Sequence, residues 1–356
     1  MKIEQIDVNF ACKMTGNGKE KDYYSIPDEN FALFGLNYSS EEGGFFRVPS
    51  ETARKVNNGV AALARNTSGG RLCFSTNSNY LSISVGYEYM CKFSHMPLTG
   101  TSGFSLREKT DKGYVFVASL YPGVDDEKGF CADCTLRGDK MRDYVMYFPL
   151  YNDVTRLTVA LEKNSDVAPL NPYKDVLPIV YYGSSITQGG CASRPDNCYQ
   201  AHVAKYTNVD YLNFGFSGSA KGEEIMSEFL AKIPASLFVI DYDHNAPDTE
   251  WLKRTHYNFY KKYRSINANI PILFISRPDC ERAADGEERL KIIRKTFLAA
   301  KRDGDKNVWM LSGKSLYGTS DRENCAVDGC HPNDLGFYKA AKRILKKLKE
   351  IRPDIF

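Results

Sequence analysis

Two short segments far apart in the chain carry residue types that together could transfer an acyl group. The first is Gly183-Ser184-Ser185-Ile186-Thr187-Gln188-Gly189, directly after the apolar run Ile179-Val180-Tyr181-Tyr182. The second is Asp328-Gly329-Cys330-His331-Pro332-Asn333-Asp334, directly before an amphipathic C-terminal stretch. A serine hydroxyl is a poor nucleophile until a base takes its proton, and the imidazole that does so needs a carboxylate on its other nitrogen to fix its tautomer. Asp328 and His331 stand three residues apart, so one bend can lay the carboxylate on one ring nitrogen and leave the other for Ser185. Each residue alone has an ordinary explanation. A serine after a strand is usually a turn residue, and a histidine before a proline can simply punctuate the helix that follows.

These residues need elements to bring them together. From residue 176 onward strands alternate with helices. Strands are expected at Ile179–Tyr182, Tyr211–Phe214, Leu237–Ile240, Ile270–Ile275 and Val308–Leu311. Helices are expected at Asn197–Tyr206, Glu223–Ala231, Thr249–Tyr263, Glu287–Lys301 and Leu335–Leu348. That alternation predicts an α/β fold, a doubly wound parallel sheet with helices on both faces. Sites in such sheets form at the carboxyl ends of strands. Ser185, Gly218 and Asn245 all fall just after predicted strands.

Residues 1–168 read differently. Leu81, Ile83 and Val85 alternate with polar or small residues, as do Leu157, Val159 and Leu161, which is the period of a half-buried strand. Tyr114–Ala118 and Tyr144–Phe148 are further strand candidates. Turn clusters such as Asn66-Thr67-Ser68-Gly69-Gly70 separate them. Many short strands with frequent turns predict a β-sandwich or jelly roll. One helix is expected over Glu51–Ala64, against the turn signal Asn57-Asn58-Gly59. Pro169, Asn171 and Pro172 mark a linker before the second domain, 176–356.

Composition bounds the function. The chain has 356 residues, 42% hydrophobic and 26% charged, with a formal net charge of +3. That charge is too small to argue for nucleic acid or a membrane surface as partner. The lysines of the C-terminal stretch alternate at helical spacing with Phe337, Ala341, Ile344, Leu345 and Leu348, so they read as a solvated face. The N-terminal Met1–Asp7 segment is polar, and no run reaches membrane-span length, so a cytoplasmic location is expected. Ten cysteines form no framework. Cys131-x-x-Cys134 is a single pair without a second at zinc-finger spacing. The chain offers no Gly-x-Ser-x-Gly elbow and no Gly-x-Gly-x-x-Gly after a strand. Its five scattered histidines do not make a metal-ligand cluster. No cofactor and no metal is expected. His95, His202 and His256 show no partner pattern.

Four blocks in order now carry a resemblance. Gly183-Ser184-Ser185-Ile186, Asn213-Phe214-Gly215-Phe216-Ser217-Gly218, Asp241-Tyr242-Asp243-His244-Asn245 and Asp328-Gly329-Cys330-His331 resemble the Ser, Gly, Asn and His blocks of the SGNH (GDSL-type) hydrolases, with Ser184 where many members have Asp. The stretch Gly190-Cys191-Ala192-Ser193-Arg194-Pro195 further resembles a branch related to bacterial carbohydrate acetyl esterases, in which a β domain precedes the hydrolase. Phe46-Arg47-Val48-Pro49 and Tyr147-Phe148-Pro149-Leu150-Tyr151 look like that domain, whereas Gly103-Phe104-Ser105-Leu106-Arg107 departs from its Gly-x-Asp-Leu-Tyr run.

The resemblance implies a flavodoxin-like three-layer α/β/α domain behind an N-terminal β-sandwich. It implies Ser185 as nucleophile, His331 as base and Asp328 as its orienting carboxylate. An oxyanion hole would be made by the N–H groups of Ser185 and Gly218 and the amide of Asn245. Arg194 and His244 are candidates for substrate contact. The function it implies is a serine esterase removing acetyl groups from carbohydrates. The substrate would be an acetylated oligosaccharide or another small ester, with a homo-oligomer left open. Two alternatives are a lipid or thioester acyl hydrolase and a non-catalytic carbohydrate-binding protein. Activity should rise through about pH 6 to 7, where a histidine of ordinary pKa, about 6.5, loses its proton.

Overall fold

The structure is a computed structural model and describes residues 18–356. The N-terminal segment Met1–Asp7 read above lies outside the described residues.

The C-terminal half is built on five parallel strands. In spatial order they are Tyr211–Gly215, Ile179–Gly183, Leu237–Asp241, Ile272–Ile275 and Val308–Leu311. By chain order that is 2-1-3-4-5, the flavodoxin-like arrangement, whose ligand site lies where the winding reverses at the first strand. Successive residues of a strand point to opposite faces, and both faces are covered. Ile179, Tyr181, Leu237, Val239, Leu273 and Ile275 pack under the helices Tyr199–Thr207 and Asp334–Ile351. Val180, Tyr182, Phe238, Ile240, Ile272 and Phe274 pack under Glu224–Ala231, Thr249–Ile266 and Gly286–Arg302. The last helix buries Phe337, Ala341, Ile344, Leu345 and Leu348, each large aliphatic side chain contributing about 1.5–3 kcal/mol.

The N-terminal half is a sandwich of antiparallel sheets. One sheet pairs Lys21–Ile26, Val154–Glu162, Tyr80–Tyr87 and Gly129–Thr135. The other orders Val167–Pro169, Arg71–Thr76, Arg142–Tyr147, Phe104–Thr110 and Gly113–Leu120, with Ala32–Phe34 also on Arg71–Thr76. Leu81, Ile83, Val85, Leu157, Val159 and Leu161 meet Leu72, Phe74, Leu106 and Met146 between the sheets. The second sheet's other face does not meet water. Cys73, Val145 and Tyr147 join the core formed with Tyr181, Tyr199 and Tyr211, so the sandwich is packed onto the α/β domain.

Two readings need correction. The helix expected over Glu51–Ala64 is two helices, Ser50–Val56 and Asn58–Leu63. Asn57 breaks it, because its side chain accepts from the Val60 N–H and caps the second helix. The linker also holds a short edge strand, Val167–Pro169. Cys131 and Cys134 lie on the strand Gly129–Thr135; an odd spacing on a strand points them to opposite faces, and both are free thiols. No helix among the described residues is long and apolar enough to cross a membrane.

Candidate active site

The first strand of the parallel sheet ends at Gly183, and a single helical turn, Ser185–Gln188, starts at once. Ser184 caps it, its hydroxyl accepting from the Ile186 N–H at 3.1 Å. Gly189, at φ 106°, ends it. Only glycine takes that conformation without strain. The Ser185 carbonyl accepts from Gly189 N (2.9 Å), Gly190 N (2.8 Å) and the Tyr151 hydroxyl (3.2 Å). Ser185 is thereby held from its own turn and from the sandwich domain.

The Asp328–His331 segment is a tight loop. Val327 N–H donates to the His331 carbonyl at 2.9 Å and Ala326 bridges Pro332. Gly329 makes the bend at φ 76°. One Asp328 oxygen accepts from the backbone N–H of Cys330 (3.0 Å) and of His331 (2.7 Å). The other lies 2.7 Å from His331 Nδ1. The remaining ring nitrogen, Nε2, is 2.9 Å from Ser185 Oγ. A carboxylate only accepts, so Nδ1 carries the proton and Nε2 offers its lone pair to the serine. Burial tends to raise the pKa of Asp328, but the bonds from the His331 backbone and ring and from Cys330 outweigh it and hold it at about 2.

Gly218 and Asn245 follow the second and third strands. Phe216 N–H donates to the Gly183 carbonyl at 2.9 Å, which fastens the start of the glycine turn to the serine strand. Gly218 itself has φ 64° and open space where a Cβ would stand. The Asn245 amide donates to the Phe216 carbonyl at 2.9 Å. An amide nitrogen carries two hydrogens, so this bond occupies one of them. The chain of contacts Gly183, Phe216, Asn245 links all three strand ends.

Arg194 is drawn into a salt bridge. Its guanidinium bonds Asp196 (3.1 Å) and Asn197 (3.2 Å) and covers the Phe116 ring of the sandwich at 4.4 Å. Buried Asp196 also takes Arg107 and, at 3.5 Å, Lys205. Arg107 stands where the Gly-x-Asp-Leu-Tyr run has Tyr, so the departure becomes a bond between domains. His244 is half-buried, with Nδ1 3.4 Å from Asp243. The loop Cys191–Asn197 is fastened on two sides. Ser193 N–H (2.8 Å) and the Asn197 amide (2.9 Å) donate to Asp334, and Thr99 of the sandwich donates to the Ser193 carbonyl at 2.6 Å.

Two residues at the site carried no sequence signal. The exposed His95 ring, from the sandwich, lies 5.9 Å from the His331 ring. Gln188, fully buried, donates to Asn66 (3.0 Å) and to the Leu150 carbonyl (3.1 Å), and accepts from Ser217 N–H at 2.9 Å. Its amide joins the sandwich, the serine turn and the glycine turn. Both depend on neighbours tens of residues away, which no local pattern announces.

Residues 176–349 match the GDSL-like Lipase/Acylhydrolase family, and residues 21–167 match the N-terminus of SGNH-hydro-type esterases. No curated protein matches the chain. Among solved structures, a protein designated a GDSL-like lipase from Bacteroides ovatus is 25% identical, with a TM-score of 0.84 over 94% of this chain and 98% of that one. A salicylyl-acyltransferase from a tetracycline biosynthetic pathway is 19% identical, with a TM-score of 0.75 over 93% and 97%. A family two carbohydrate esterase from Clostridium thermocellum, in complex with cellohexaose, is 13% identical, with a TM-score of 0.61 over 90% and 98%. The last two likenesses are of fold. With both halves matched, the chain carries a GDSL-like lipase/acylhydrolase domain behind the N-terminal domain of SGNH-type esterases.

Proposed function

We propose that the chain is a serine esterase that removes acyl groups, acetyl above all, from carbohydrates. The observation that carries the catalytic part is the unbroken line of hydrogen bonds from Ser185 Oγ through the His331 ring to Asp328. Ser185 Oγ attacks the ester carbonyl as His331 Nε2 takes its proton. The C–O bond to the sugar breaks as His331 returns that proton to the leaving alcohol. Water, deprotonated by the same nitrogen, then releases the acid and restores Ser185. Asp328 stays ionised and stabilises the imidazolium between the two proton transfers. The Ser185 N–H, first in its helical turn and so without an intrahelical partner, the Gly218 N–H and the second hydrogen of the Asn245 amide receive the oxyanion.

The preference for a short acyl group is supported by the loop Cys191–Asn197, whose Ser193, Arg194, Asp196 and Asn197 are polar, unlike the apolar lid or channel of a long-chain lipase. The sugar part is supported by the fold likeness to carbohydrate esterases. The test is acetate release from acetylated xylo-, manno- and gluco-oligosaccharides, beside short- and long-chain acyl esters and a Ser185→Ala control. Acetate from one sugar class, absent with the variant, is the expected result. Cleavage of long-chain esters alone would replace the sugar reading with a lipid or thioester one. Binding of acetylated glycans without cleavage of any ester would make the chain a binding protein.

A further inference from the structure

The third strand of the parallel sheet ends in Asp241, and the next turn carries Asp243 and His244. One carboxylate oxygen of each aspartate and one ring nitrogen of His244 lie within 4.8 Å of one another. Both aspartates are almost wholly buried, at 3% and 1% exposure. Isolated buried carboxylates are strongly unfavourable and are normally paired with a cation. Here no guanidinium or ammonium group bonds either one among the described residues. Asp241 accepts from the Thr187 hydroxyl at 3.1 Å through one oxygen only. Asp243 accepts the backbone N–H of Arg277 at 3.2 and 3.3 Å, and one of its oxygens lies 3.4 Å from His244 Nδ1. Arg289 bonds the Asp243 main-chain carbonyl, not its carboxylate. The other oxygen of Asp241 and Nε2 of His244 are buried without a hydrogen-bond partner.

We propose that Asp241, Asp243 and His244 hold a divalent transition-metal ion at the carboxyl end of the third parallel strand. The donor set of two carboxylates and one imidazole suits zinc or manganese. Bonds of about 2.0–2.2 Å place two ligand atoms at most about 4.4 Å apart across one ion, so small side-chain rotations close the set. A second group of ligand atoms, from His95, Cys191 and His331, also falls within 4.8 Å. It is the weaker candidate, because both ring nitrogens of His331 are already bonded, to Asp328 and to Ser185. Asn245 follows His244 directly, so on the esterase reading an ion here steadies the amide proposed to receive the oxyanion.

The test uses the full chain carrying Ser185→Ala, so its outcome does not depend on the esterase reading. The protein is stripped with chelator, dialysed, and titrated with zinc chloride or manganese chloride alone. Bound metal is counted by elemental analysis and affinity is read by calorimetry. About one ion per chain is expected, with a melting temperature that rises with metal concentration. Asp241→Asn, which keeps the shape, and His244→Ala, at a half-buried position, should each weaken binding by more than about tenfold while circular dichroism stays unchanged. Three results would overturn the proposal. One is no binding of either metal. Another is binding that survives both variants. The third is binding lost in His95→Ala but kept in Asp241→Asn, which would move the ion to the other group.

Discussion

At the scale of single residues the proposed chemistry rests on two bonds to one imidazole. Ser185→Ala removes the nucleophile and should lower kcat by a factor on the order of a million, with the unfolding curve unchanged; near-normal turnover in that variant would dismiss Ser185. Asp328→Asn keeps the size, but with its oxygen held by the Cys330 and His331 N–H groups it turns a donor NH2 toward Nδ1, so the ring must change tautomer and kcat should fall by about four orders of magnitude. The carboxyl pKa of about 2 gives a further expectation. A carboxylate whose pKa is depressed on folding contributes stability above its unfolded pKa, about 3.9, and loses it as pH falls through the folded value. Between about pH 4 and 8 Asp328 should therefore show no carboxyl-carbon NMR step as large as its own protonation would give. A step that large inside that window would mean that the bonds from the His331 backbone and ring are not made in solution. The triad candidates were legible because Asp328 and His331 share one loop and Ser185 follows an apolar strand. His95 was not legible, because only the packing of one domain on the other sets its ring beside His331.

At the scale of elements, the turn bearing Gly218 is held by groups far from it in sequence. Gln188 spends its whole amide on Asn66, Leu150 and Ser217. Replacing it with leucine of similar bulk leaves those partners buried and unpaired, at about 1–3 kcal/mol each, so the midpoint in urea should drop. The Gly218 N–H would also lose its alignment. Since that alignment matters only for the oxyanion, kcat should fall far more than KM rises; equal loss in both would make Gln188 merely structural. Gly215 gives a second, steric test. A Cβ there would stand 2.1 Å from the backbone nitrogen of Gln188, so Gly215→Ala should cost about 1–3 kcal/mol by forcing strand and turn apart. The parallel strands and their helices could be read from apolar runs and helical spacing. The break at Asn57 could be seen only as a turn signal. The edge strand Val167–Pro169 is three residues long and ends in proline, so neither period nor composition marks it.

At the scale of the whole molecule, the two domains are locked together by buried and half-buried arginines, and the lock reaches the candidate active site. Arg71 bonds the Tyr211 carbonyl at 3.0 Å and covers the Tyr211 ring at 3.9 Å, and Arg107 pairs with Asp196. Arg47 goes further. Its guanidinium, buried to 2% exposure, donates to four carbonyls: Leu63 (2.7 Å) and Asn66 (2.7 Å) in its own domain, and Asn213 (3.1 Å) and Gly215 (2.6 Å) at the end of the second parallel strand. It also lies over the Phe216 ring at 4.6 Å. Burial pulls its pKa down to about 9, which still leaves it charged at neutral pH. Nothing in Phe46-Arg47-Val48-Pro49 announces this role, because the partners are 16 to 168 positions away. Arg47→Lys keeps the buried charge but replaces a planar fork with one ammonium on a flexible stem. A single nitrogen cannot span four carbonyls in two domains. Losing two of the four bonds, at about 1.5–3 kcal/mol for each bond to a charged group, should destabilise the protein by at least about 3 kcal/mol in urea. Because Asn213 and Gly215 lead directly into the Gly218 turn, ester turnover should fall at denaturant concentrations where circular dichroism still reports a folded chain. If stability dropped but turnover per folded molecule held, the sandwich would support the hydrolase domain without shaping its site.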